Sequence, residues 1–330
     1  MSEQYDLIGI GDIVTDAFIR LKEASVHCDI NRENCEICMK FADKIPYEDA
    51  VVVPAVGNSA NASVAASRLG LSSALIANLG DDFFGKECLD TLEAENVDTE
   101  FVKVNAGMKT NYHYVLWYED ERTILIKHQP YVYELPEIGS PRWIYFSSLG
   151  EDSAEFYKRF GEYLVAHPEV KLAFQPGTYQ IKVGQGLQFF YGRSEVVIAN
   201  KEEFQKILGT GEENPRTLLE GMRSWGAKIV ILTDGPRGAY LMTDSGQWFM
   251  PIYPDPKPPY ERTGAGDAFS STFISALALG IPPEEAIRWA PINSMSVVQY
   301  VGAREGLLTR EKLEEFLRNA PPDYHLTPLP

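Results

Sequence analysis

The sequence predicts an α/β fold, a parallel-rich, doubly wound sheet flanked by helices and carrying a small β-sheet lid. Three observations lead there. Short apolar runs recur along the chain, helix-patterned segments fill the intervals between them, and two stretches break this alternation with aromatic and β-branched residues interleaved with polar ones.

The first apolar run, Leu7-Ile8-Gly9-Ile10-Gly11, ends in a glycine turn. Similar runs follow at residues 74–77, 143–146, 172–174, 196–198 and 229–232, and each reads as a strand buried on both faces. Between the first two, Ala62, Ala65, Ala66 and Leu69 form an i, i+3, i+4, i+7 stripe closed by Gly70. That is a helix whose small residues allow close backbone approach. The interrupting stretches, at roughly residues 16–56 and 99–135, read as antiparallel strands outside the main sheet. Ligands of open α/β sheets bind beyond the carboxyl ends of the strands, so strands inserted there would form a flap over a site. No internal repeat or low-complexity segment divides the chain, which reads as one domain over residues 1–330.

Acidic residues outnumber basic ones 47 to 30, a net charge of −17. Such a surface repels polyanions and argues against nucleic acid or an anionic membrane as partner. A phosphate bound here must be held by a local device: helix-start amides, a few cations or Mg²⁺. The N-terminus lacks a basic region followed by an apolar one, and no apolar run reaches membrane-spanning length, so the chain reads as cytoplasmic. Four cysteines do not suggest a disulfide framework, in keeping with a reducing compartment.

The segment Arg262-Thr263-Gly264-Ala265-Gly266-Asp267-Ala268-Phe269 is a glycine turn entering a helix. The amides of Gly264, Ala265 and Gly266 can converge on an oxyanion, reinforced by the helix dipole. Asp267 directly after them is a poor phosphate ligand but well placed to take a proton from an attacking hydroxyl. An ordinary helix cap explains the same residues taken alone. Gly57-Asn58-Ser59-Ala60-Asn61 opens the small-residue helix with amides suited to sugar hydroxyls, and again a plain cap is the simpler reading. Gly80-Asp81-Asp82-Phe83-Phe84-Gly85 reads as a capped turn.

In this order the segments resemble the ribokinase-like carbohydrate kinase family, also called the phosphofructokinase B family, over essentially the whole chain. The resemblance implies transfer of the γ-phosphate of ATP to a hydroxymethyl group of a sugar or related small molecule. It implies Gly264, Ala265 and Gly266 as an anion hole and Asp267 as catalytic base. It also implies substrate contacts from Asp12, Asp16, Gly57, Asn58 and Asn61. Asn200-Lys201-Glu202-Glu203 fits the family's Asn-x-x-Glu motif, with Glu203 holding Mg²⁺ through water. Asn200, Thr233, Gly235, Gly238 and Asn293 would border the nucleotide, although Pro291 stands where an asparagine is usual. Val56 and Asn58 alter the usual floor of the substrate pocket, and Glu261-Arg262 replaces an Asp-Thr pair, which leaves the family's monovalent-cation site open. A homodimer through the lid is a further implication.

The first glycine turn lacks the third glycine of a dinucleotide-binding fold, and no Gly-x-x-x-x-Gly-Lys-Ser/Thr loop exists. The competing readings are a nucleoside kinase of the same fold and a non-catalytic sugar- or nucleoside-binding protein. Tyr112, His113, Tyr114 and Trp117 could stack on a nucleobase or simply pack. Finally, Cys35-x-x-Cys38 with His27 or Cys28 has the spacing of a structural zinc site, and the alternative is small buried cysteines.

Overall fold

A computed structural model describes residues 4–29, 35–119 and 121–329. Its strands are, in chain order, β1 (Leu7–Ile10), β2 (Val14–Leu21), β3 (Ser25–His27), β4 (Glu36–Cys38), β5 (Tyr47–Val56), β6 (Ser73–Gly80), β7 (Val97–Asp98) and β8 (Val102–Asn105). Then come β9 (Asn111–Tyr118), β10 (Glu121–Leu125), β11 (Trp143–Phe146), β12 (Lys171–Phe174), β13 (Val196–Asn200), β14 (Ile229–Thr233), β15 (Ala239–Thr243), β16 (Gly246–Met250) and β17 (Thr327–Pro328).

The main sheet runs β17-β16-β15-β14-β13-β12-β11-β1-β6-β7, with β8 also paired to β6. Pairing is parallel from β14 through β11 and β1 to β6, β7 and β8, and antiparallel from β14 outward to β17. All six apolar runs are strands of its parallel part, as expected of segments covered on both faces. Alternate side chains serve two cores. Leu7, Tyr145, Ile198 and Ile231 face one helical layer, and Ile8, Phe146, Val197 and Val230 face the other. Each such buried side chain contributes about 1.5–3 kcal/mol of transfer free energy, which anchors the strands whose carboxyl ends form the rim of the site.

A second, four-stranded sheet has the order β10-β9-β2-β5. Two expectations need correction here. The β2–β9 pair is parallel, not antiparallel, with Asp16 beside His113. Residues 102–105 belong to the main sheet through β6, while the stretch 126–142 contains no strand. The small sheet also begins at Val14, earlier than residue 16.

The zinc reading is overturned as well. Cys28 and Cys35 form a disulfide across the β3–β4 hairpin, so neither sulfur is open to a metal. His27 Nε2 lies 3.2 Å from Ser25 Oγ, and Cys38 stands alone, half-buried. The alternative of small buried cysteines does not hold for this cluster either, since Cys28 and Cys35 are exposed; Cys88, elsewhere in the chain, is buried and its sulfur accepts from the Ala55 amide. Among the described residues no cluster of three metal-ligating side chains forms, and no helix is long and apolar enough to cross a membrane.

Candidate active site

Two helix starts face each other across the rim. The helix Asn58–Arg68 begins at Gly57, whose φ of 121° only glycine adopts readily, and a Cβ there would strike the Asp12 carbonyl oxygen. The helix Ala265–Ala278 begins at Gly264, φ 83°, where a Cβ would collide with the Ala303 backbone. Small residues let the two helices close on each other, with Ala60, Val64, Ala65 and Ala268 in one apolar cluster. Their N-termini are thereby brought to one point, where first-turn amides lack intrahelical partners and favour anions.

Asp267 occupies that point. Its Oδ1 accepts from Asn58 Nδ2 at 2.9 Å and from Gln175 Nε2 at 3.2 Å, and its Oδ2 accepts from Asn61 Nδ2 at 2.8 Å. Gln175 is itself oriented, because its Oε1 accepts the hydroxyl of buried Tyr145. Burial raises the Asp267 pKa above the ordinary carboxylate range, and the Asn61 and Gln175 donors oppose that rise. The result is a half-buried carboxylate kept available as an acceptor by three neutral amides, a form of pre-organisation suited to proton abstraction. A plain N-cap accounts for none of these contacts, since Gly264 is the cap residue and Asp267 lies inside the first turn.

Two cavities meet beside Asp267. The first, about 360 Å³, is walled by the small sheet through Asp16, His113, Arg122 and Ile124 and floored by Gly57, Asn58 and Asn61. Asp12 lines it too, but each of its oxygens already has a protein partner: Tyr133 donates to Oδ1 at 2.8 Å, and His128 Nδ1 lies 2.8 Å from Oδ2. Asp16 differs. Its Oδ1 is buried without a hydrogen bond, and the His113 ring nitrogen Nδ1, 3.4 Å away, does not form one. Asn61 Oδ1 and His113 Nε2 are likewise buried and unpaired.

The second cavity, about 900 Å³, is bounded by Thr233 at the end of β14 and Gly235 and Gly238 after it, by Ala265 and Gly266, and by the apolar Met295 and Val298. Arg122, Asn200, Thr233 and Gly266 border both cavities. Asn200 and Glu203 form a reciprocal cap at the helix Lys201–Leu208: Glu203 N–H donates to Asn200 Oδ1 and Asn200 N–H to Glu203 Oε2, both at 2.9 Å. Glu203 still reaches the first cavity, where burial and the nearby Asp267 charge raise its pKa. Glu203, a carboxylate disfavoured by burial and by the Asp267 charge, is a hard oxygen donor that could hold Mg²⁺ through water, since that ion keeps several waters and needs few protein ligands.

Asn293, Ala265 and three residues of the aromatic stripe are placed differently from expectation. Asn293 is buried in the helix Pro283–Val297, where its Nδ2 donates to Thr272 Oγ1 at 2.7 Å and its Oδ1 accepts from Leu308 N at 2.9 Å. It braces the core, and Pro291 and Ser294 border the cavity instead. The Ala265 amide turns back to the Arg262 carbonyl at 3.4 Å, whereas Gly264 and Gly266 line the first cavity. Of the aromatic stripe only His113 lines the first cavity. Tyr112 packs on Phe84 and Tyr114, and buried Trp117 lies under Arg20 and against Tyr260. Gln175, His128 and Tyr133 were not singled out in the sequence. Gln175 directly follows β12, and the rule that strand ends face the ligand would have flagged it.

A carboxylate at a helix N-terminus, between a polar cavity and a larger one with an apolar bed, suits a phosphotransferase acting on a hydroxyl. The pfkB family carbohydrate kinase model matches residues 22–310, and the chain belongs to that family. It is an ATP-dependent kinase of the sugar or nucleoside class. Over 284 residues it is 26% identical to a 2-dehydro-3-deoxygluconokinase of Thermoproteus tenax, covering 79% of this chain and 85% of that one. A nucleoside kinase of Methanothermobacter thermautotrophicus is 23% identical over 93% of this chain and 94% of its own. Among solved structures, Arabidopsis thaliana ribokinase complexed with ribose and ATP superposes with a TM-score of 0.73 at 18% identity, covering 96% and 99% of the two chains. At that identity the superposition establishes the fold.

Proposed function

We propose that the protein transfers the γ-phosphate of ATP to the hydroxymethyl group of a sugar bound in the first cavity, with Asp267 as the base. The observation that carries this reading is the Asp267 carboxylate held by Asn58, Asn61 and Gln175 where two cavities and a helix N-terminus meet. Asp267 takes the hydroxyl proton as the oxygen attacks, and the amides at Gly266 and beyond receive the charge of the transferring group. Thr233, Gly235 and Gly238 border the nucleotide, with the adenine on the Met295–Val298 side. Glu203 would hold Mg²⁺ through water, and that ion would neutralise charge between the β- and γ-phosphates.

The unpaired Asp16 Oδ1 and Asn61 Oδ1 want hydrogen-bond donors, which sugar hydroxyls supply and an aromatic base does so less well. Asp12 acts mainly by fixing His128, whose ring packs edge-on to Tyr179 at 5.5 Å in the same cavity. That aromatic pair is the feature favouring a nucleoside acceptor. A panel of pentoses, hexoses, sugar phosphates and nucleosides, scored by ADP release with Mg²⁺-ATP, decides between the classes. Release independent of every acceptor would leave only nucleotide hydrolysis and retire the reading.

Asp16→Ala should raise KM for the acceptor roughly 10- to 100-fold with kcat little changed, because its bonds form in ground and transition states alike. A collapse of kcat at constant KM would move Asp16 from binding to chemistry. The small sheet acts as the lid over the first cavity. Amide exchange across Val14–Leu21 and Asn111–Tyr118 should therefore slow when acceptor and a nonhydrolysable nucleotide are both bound. Unchanged exchange there would argue against closure.

Glu261 is fully buried, and its oxygens accept from Thr263 N, Thr263 Oγ1 and Gly302 N. On this reading the loop entering the catalytic helix is tied by protein donors where the family resemblance places a monovalent cation. ATP as donor fits a cytoplasmic enzyme. A homodimer through the lid would have exposed Val52, Tyr114 and Leu125 to cover.

A further inference from the structure

The first cavity is lined by four carboxylates, Asp12, Asp16, Glu203 and Asp267, in a protein of net charge −17. A phosphoryl group crossing into it carries charge on three oxygens, and the helix amides meet that charge from one side only. Among the described residues lining this cavity, Arg122 is the single arginine or lysine. It stands on β10, is the only small-sheet residue to border both cavities, and keeps a third of its side chain exposed. Its carboxylate neighbour Glu121 is 3.7 Å away and is shared with Arg262 at 3.8 Å. By contrast Arg237, which borders the nucleotide cavity, is committed to Asp234 through its Nε at 2.7 Å. The Arg122 charge also reaches Asp267, where it favours the ionised form.

We propose that Arg122 is a catalytic residue, carried by the small sheet to the junction of the cavities, where its guanidinium binds the oxygens of the transferring phosphoryl group. The inference rests on the transfer reading above. The new bond joins the acceptor oxygen to the γ-phosphorus. The bond from that phosphorus to the β–γ bridging oxygen breaks, with its electron pair leaving on ADP, and the hydroxyl proton passes to Asp267. Arg122 changes no covalent bond. Its planar fork matches phosphate oxygens in pairs, which a lysine ammonium cannot do. Since it rides on β10, the charge arrives only with the wall that shuts water out, so closure and chemistry are linked through one side chain.

The test uses MgADP with and without aluminium fluoride, a mimic of the phosphoryl group in flight, with water in the acceptor's place. Wild type should bind MgADP about 10²-fold more tightly, or better, when fluoride is present. Arg122→Ala should lose most of that gain while binding MgADP alone within about twofold of wild type and melting at the same temperature. Arg122→Lys should recover little, and free guanidinium ion should restore part of the gain to Arg122→Ala. A merely structural role would weaken MgADP itself and lower the melting temperature, and that outcome overturns the proposal. So does an Arg122→Ala protein that keeps the full fluoride gain. A wild type that gains nothing from fluoride instead overturns the transfer reading on which the proposal rests.

Discussion

Asp267→Asn should lower kcat by about 10²- to 10⁴-fold and leave acceptor KM and folding nearly unchanged. The side chain keeps its shape, but an amide cannot take the proton, and its NH₂ would face donors: Asn58, Gln175 and Asn61 all donate to the carboxylate. The same environment sets a pH dependence. Burial raises the Asp267 pKa while Asn61 and Gln175 restrain it. Wild-type kcat should therefore fall as pH drops through a value above the ordinary carboxylate range, as the base becomes protonated. Removing a donor with Gln175→Leu should move that acid limb upward. Stopped or continuous ADP-release assays across pH check both points, and undiminished turnover by Asp267→Asn would sink the assignment.

Gly264→Ala should be comparably damaging, for a reason that begins in the backbone. Its φ of 83° is strained for any residue with a Cβ, and that Cβ would run into the backbone and methyl group of Ala303. The left-handed conformation costs of order 1–3 kcal/mol, and relieving the clash shifts the start of the helix that carries Gly266 and Asp267. Losing aligned amide donors at a developing anion typically costs about 10²- to 10³-fold in rate. Kinetics and thermal melting should thus fall together, unlike Asp267→Asn, which spares melting. Adding Ala303→Gly should recover only part of the loss, since it removes the methyl group but leaves both the collision with the residue 303 backbone and the dihedral strain. A Gly264→Ala enzyme of normal kcat would mean that this turn does not position the phosphoryl group.

What the sequence made legible follows from which interactions are local. The six apolar runs became parallel strands because their two-sided burial is written into consecutive residues such as Trp143-Ile144-Tyr145-Phe146. The glycine turn before Asp267 was legible for the same reason, being contained within a few positions, and the Asn200-x-x-Glu203 spacing was legible as a motif though not as the cap it forms. The parallel β2–β9 pairing was not, since it joins Asp16 to His113 with no local turn to announce it. His128 and Tyr133 lie in a stretch without periodicity, and only the tertiary fold brings them to Asp12. Asn293 was misplaced because helix phase decides which side chain meets a cavity, and here Pro291 and Ser294 occupy that face. The cysteine spacing misled for a related reason: Cys35 pairs back across the hairpin to Cys28, not forward to Cys38.

The central claim is direct transfer to an acceptor hydroxyl activated by Asp267. It is tested most directly by following radiolabelled γ-phosphate of Mg²⁺-ATP in the presence of the acceptor that best stimulates ADP release. The account predicts label on the acceptor, in step with ADP, for wild type and a rate lower by about 10²-fold or more for Asp267→Asn. Label released solely as inorganic phosphate, or transfer at equal rates by the two proteins, would contradict it.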